Sequence, residues 1–119
     1  MTVTIYHNPR CSKSRTTLQL LRERGIEPKV VEYLSTPPDA KRLKHILKLL
    51  GIGPRDLIRK GEAVYKEKKL ANPDLDDAAL IDAMVENPIL IERPIVVVKD
   101  AKGERAALGR PPEKVLDIL

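Results

Sequence analysis

Tryptophan and phenylalanine are absent from this chain of 119 residues, and only three tyrosines are present. The core must therefore be built from Leu, Ile, Val and Ala, and 42% hydrophobic content is enough to build one without metal or disulfide support. The same shortage leaves no aromatic platform on which nucleic-acid bases could stack. The net charge of +5 does not revive that partner, because Lys and Arg alternate with Glu and Asp in stretches such as LLRERGIEPK and VYKEKKL. Such stretches read as solvated helix faces. No run approaches the roughly 20 apolar residues of a membrane span, and MTVTIYHNPR lacks the apolar segment of a secretory signal. The sequence predicts a cytoplasmic protein with neither membrane nor nucleic acid as partner.

There is one cysteine, Cys11, so no internal disulfide can form. One Cys and two distant His are also too few for a metal site, and no bound cofactor is expected. His45, off the apolar stripe of KRLKHILKLL, reads as a surface residue.

Residues 2–6, TVTIY, alternate apolar and polar side chains and predict a strand running into a loop. Residues 12–24 lack Gly and Pro, carry Leu18, Leu20 and Leu21 on one side and end at Gly25, which predicts a helix. KVVEYL, 29–34, predicts a second strand, parallel to the first because a helix separates them. Thr36 is placed to cap a helix through Leu50, short helices are expected in PRDLIRKG and EAVYKEKK, and a longer one over 76–86. PIVVV and residues 105–108 predict a hairpin, and EKVLDIL a closing helix. The order βαβ, helical insertion at about 36–90, ββ and helix is the thioredoxin/glutaredoxin-like α/β plan, a mixed four-stranded sheet in one domain over 1–119.

In that plan Cys11 lies where a loop enters a helix, facing free N–H groups and the positive end of the helix dipole, both of which favour thiolate. Dipole effects reach about 0.3 to 2 kcal/mol, whereas bringing a thiol from about 8.5 to about 6 takes roughly 3.4 kcal/mol. Local cations could supply the rest, with Arg15 one turn into the helix and His7 across the loop as candidates. His7 could donate to sulfur or orient a neighbour, and Ser14 could offer a hydroxyl or an N–H. Arg93 precedes a proline that starts a strand, which in this plan is usually cis and beside the cysteine loop. Arg59 and Arg110 stand at element boundaries where a side chain can turn inward.

The segments HNPRCSKSR, LIRKGE, NPILIERPIVV and GRPPEKVLDIL, in this order over nearly the whole chain, resemble the signature segments of the ArsC-type, glutaredoxin-linked arsenate reductases, most closely their short members. The resemblance implies that Cys11 attacks arsenate to form a thiol-arsenate adduct, that glutathione displaces it as co-substrate, and that glutaredoxin removes the glutathione as arsenite leaves. It places the family's oxyanion-binding arginines on Arg59, Arg93 and Arg110, and its histidine, serine and arginine around the nucleophile on His7, Ser14 and Arg15. With no second cysteine, the resolving thiol must come from outside. Arg10 and Lys13 depart from the smaller residues of longer members and add charge at the mouth of the site.

Two other readings stay open. The Spx-like transcription regulators share the fold, usually with a Cys-x-x-Cys switch whose second position is Ser14 here. Another glutathione-dependent thiol oxidoreductase, acting on mixed disulfides, would use the same nucleophile. A phosphatase-like reductase would need arginine where Thr17 stands.

Overall fold

The computed structural model describes all residues, Met1 to Leu119. It forms two compact units: Met1–Thr36 with Arg93–Leu119, and Pro37–Glu92.

The first unit is a mixed sheet. β1 (Thr2–His7) pairs in parallel with β2 (Lys29–Glu32) and antiparallel with β3 (Ile95–Asp100), which pairs antiparallel with β4 (Gly103–Leu108). The strand order is β2-β1-β3-β4, the four-stranded sheet expected. β3 is buried through Ile95, Val96, Val97 and Val98, as befits an inner strand with a continuous β-branched run. The two-residue turn between β3 and β4 is shaped by Asp100, whose carboxylate accepts the Lys102 N–H, and by Gly103 at φ +119.

Helix α1 (Ser12–Glu23) follows β1 and stops where the Gly25 N–H reaches the Arg22 carbonyl at φ +76. Its Leu21 joins Val3, Ile5, Val96, Val98 and Val115 in an aliphatic core edged by Leu18, Ile26, Ala107 and Ile118. Leu21 is fully buried, so truncation to Ala would cost about 2–5 kcal/mol. The closing segment is a 3-10 helix, Pro112–Ile118, instead of the α-helix its length suggested. Pro111 and Pro112 supply no N–H, and the Lys114 N–H closes the tighter bond to the Pro111 carbonyl, which brings Val115 into the core.

The second unit is helical. α2 (Ala40–Leu50) begins three residues later than the Thr36 cap predicted: Asp39 is the N-cap and accepts the Arg42 N–H at 2.7 Å. Thr36 and Pro37 each precede a proline, which disfavours helical backbone at both. α2 ends at Gly51, in the left-handed conformation at φ +69. α3 (Pro54–Leu57), α4 (Ala63–Glu67) and α5 (Asp77–Glu86) follow, with α5 capped by Asp76. α2 and α5 pack through Leu43, Ile46, Leu47, Leu80, Ile81 and Met84. His45 is half-buried on α2, not the fully surface position its sequence register suggested. No helix is long and apolar enough to cross a membrane.

Candidate active site

The loop from β1 into α1 is held by its own backbone and two buried polar residues. Asn8, 6% exposed, accepts the Arg10 N–H at Oδ1 and the Cys11 N–H at its carbonyl, both at 3.0 Å. Ser14 is fully buried, and its Oγ accepts the Asn8 N–H at 3.0 Å and lies 2.6 Å from His7 Nδ1. That short contact uses the one proton available between imidazole and hydroxyl, on the side the histidine tautomer selects. Burial depresses the His7 pKa, Glu32 works against this, and Arg22 and Arg15 reinforce it. His7 thus contacts the loop at Ser14.

Cys11 is the N-cap residue of α1, with extended backbone at φ −94 and ψ 123. Its half-buried thiol is pushed up by burial, but the N–H groups of Ser14 and Lys13 and the guanidinium of Arg93 outweigh this and leave the pKa below the ordinary thiol value. The cation on sulfur is thus Arg93, delivered from the other end of the unit. Arg15 instead turns back, and its Nη1 donates to the Pro9 carbonyl at 2.9 Å, which closes the loop.

Arg93 precedes a cis proline, as the sequence position suggested, and so does Arg110. Two of the Arg93 donors, Nε and Nη1, are buried without a hydrogen-bond partner. Arg110 Nη1 donates to the Arg93 carbonyl at 3.2 Å, tying the two turns together. Cys11, His7, Ser14, Arg93 and Arg110 are thus linked within the first unit. Arg59, in the second unit, is gripped by Glu92 at 2.5 Å and Glu62 at 3.3 Å, and these carboxylates raise its pKa against the lowering effect of burial. Its N–H also donates to the Leu90 carbonyl.

Sequence reasoning passed over Asn8 and Glu92. The Asn-Pro pair after a strand signalled the first; the second makes its contact with Arg59 from a distant segment. A cleft of about 640 Å³ opens beside the loop, lined by His7, Pro9, Arg15, Leu18, Gln19 and Arg22 together with Glu23. No group of three or more His, Cys, Asp or Glu is arranged to hold a metal ion.

Residues 6–118 match the ArsC family. The chain belongs to the ArsC family. Among its relatives, the uncharacterized protein YfgD of Escherichia coli strain K12 is 58% identical over 98% of this chain and 96% of its own length. An arsenate reductase of Neisseria meningitidis serogroup A is 50% identical over 98% of this chain and 97% of its own length. A solved structure described as arsenate reductase from Vibrio cholerae superposes with a TM-score of 0.93 at 51% identity, covering 100% of this chain and 98% of that one. The ArsC-family, thioredoxin-like fold is therefore the fold of this chain.

Proposed function

We propose that this ArsC-family chain reduces arsenate to arsenite, with Cys11 as nucleophile and Arg93 and Arg110 holding the oxyanion. The state of Arg93 carries the reading: its guanidinium favours the thiolate form of Cys11 while Nε and Nη1 stay buried and unpartnered. Unmet buried donors cost about 1–3 kcal/mol each. A tetrahedral oxyanion beside the sulfur would bring anionic oxygens to this guanidinium, which holds them by charge-assisted hydrogen bonds. A mixed-disulfide substrate brings no anionic oxygen to these donors, and so gains less from them.

The Cys11 thiolate attacks arsenic and displaces one oxygen as water, forming a sulfur–arsenic bond with arsenic still pentavalent. When an external thiol forms a sulfur–sulfur bond at Cys11, the electron pair of the sulfur–arsenic bond stays on arsenic, which becomes trivalent and leaves as arsenite. Glutathione fits as that thiol and glutaredoxin as the agent that takes the glutathione and returns Cys11 to thiolate. The cleft along α1 starts at Arg15, which shares a helical face with Cys11, and gives the co-substrate an approach. Ser14 serves the thiolate with its N–H, while His7 and Arg15 position the loop. The cytoplasm, which keeps thiols reduced, suits this cycle. The resemblance adds Arg59 as a further oxyanion ligand, for which arsenate would have to compete with Glu62 and Glu92.

The test is arsenite release from purified protein supplied with arsenate, glutathione and glutaredoxin, each omitted in turn, with Cys11→Ser as the blank. Release that needs all three and falls to background in Cys11→Ser supports the reading. Turnover by Cys11→Ser, or none by folded wild-type protein, overturns it.

A further inference from the structure

Gly109 lies buried just after β4, between α1 and the turn that carries Arg93. Its φ lies outside the left-handed region, so its backbone conformation does not demand glycine. Space does. A Cβ at this position would lie 2.7 Å from Thr17 Oγ1, 2.8 Å from Pro94 Cγ and 3.3 Å from Pro94 Cδ. Neither neighbour can give way cheaply. Thr17 is fully buried with its hydroxyl donating to the Lys13 carbonyl at 2.8 Å, and the Pro94 ring is rigid and buried. The Gly109 N–H also donates to the Pro94 carbonyl at 2.9 Å.

Each neighbour leads to one source of thiolate stabilisation. Thr17 anchors Lys13 in the first turn of α1, the turn whose Lys13 and Ser14 N–H groups face the sulfur. Pro94 follows Arg93, whose guanidinium favours the thiolate form of the same sulfur. We infer that Gly109 is a positioning residue for the nucleophile: its missing side chain lets the first turn of α1 and the Arg93–Pro94 turn approach closely enough for both to act on one sulfur. A methyl group there would wedge the two apart by a few tenths of an ångström or more. The N–H donors would stay with Cys11, which they share a helix with, and the guanidinium would withdraw.

The inference deepens the proposed function, but its test needs no arsenate. The Cys11 pKa is read from thiolate ultraviolet absorbance and from the pH dependence of iodoacetamide alkylation in wild type, Gly109→Ala and Gly53→Ala. A Cβ at Gly53 would meet only Asp56 Oδ2 at 3.9 Å, an ordinary van der Waals contact, so this variant controls for loss of a glycine as such. The expected result is an upward shift of about one unit in Gly109→Ala, a tenfold lower thiolate-to-thiol ratio below the pKa, with none in Gly53→Ala. A glycine with a merely structural role would lower the melting temperature and leave the pKa in place, and that result overturns the inference. Should Gly109→Ala not fold, Thr17→Ile crowds the same contact from the helix side; an unshifted Cys11 in folded Thr17→Ile overturns it equally. Failure of the wild type to reduce arsenate would remove the proposed substrate and leave this pKa test untouched.

Discussion

Arg93 and Arg59 are the same residue type, each half-buried and each in a segment shared with the same family, yet their surroundings are opposite. Arg93 faces no carboxylate, favours the thiolate form of Cys11 and has two buried donors with nothing to bond. Arg59 has two carboxylates, Glu92 and Glu62, with all three side chains between 22% and 26% exposed. Under the proposed function an incoming oxyanion finds Arg93 with no carboxylate partner, whereas at Arg59 it must first displace a neighbour.

Arg93→Ala is where this contrast should be largest. Loss of a charge-assisted donor costs about 1.5–3 kcal/mol, so kcat/KM for arsenate should fall roughly 10- to 150-fold, with a smaller loss in Arg59→Ala. Steady-state arsenite release by both variants measures the difference, and equal losses would break the contrast. Arg93→Lys should recover little, because an ammonium cannot make the planar two-point contact.

The ionisation of Cys11 separates the two arginines more sharply. Arg93→Ala should move the alkylation midpoint up towards the ordinary thiol value, while Arg59→Ala should leave it in place. The same depressed pKa couples to folding. Because the folded thiol ionises below its unfolded value of about 8.5, the thiolate's stabilising contribution is complete above that value and is lost as pH falls through the folded pKa. Denaturant melts of wild type against Cys11→Ser across that window should show the difference growing with pH.

The smallest effect belongs to Glu92→Gln. Relaxing the grip on Arg59 should cost under about 1 kcal/mol of stability, since these side chains are partly solvated, and should lower the arsenate KM by about two- to fivefold. An unchanged KM would mean that Arg59 takes no part in binding the oxyanion.

The elements that set this contrast were unequally legible in the sequence. The placement of Cys11 at a helix start followed from an uninterrupted run after HNPR, and Arg93 from a proline at the head of a β-branched strand, because both signals are local. The pairing of Arg59 with Glu92 and the fit of Gly109 against Thr17 and Pro94 leave no local trace, since each joins segments far apart in the chain. Helical spacing puts Arg15 on the side of Cys11, and the bond of its Nη1 to the Pro9 carbonyl, presented by the loop, left no signal in that spacing. The start of α2 went wrong where two signals competed, a threonine cap at 36 and an aspartate cap at 39, and the consecutive prolines between them favoured the later one.

In the Cys11 loop the groups that favour thiolate from α1 are main-chain N–H groups at 13 and 14, whereas the side chains of Arg10, Ser12 and Lys13 are exposed. Activation of the nucleophile and the choice of what approaches it are thus written in different parts of the same four residues. Substitutions at 10, 12 and 13 can alter the charge seen by an arriving anion or thiol partner while the main-chain N–H groups at the helix start stay on the sulfur. A lineage using this scaffold can change its clientele without rebuilding its chemistry.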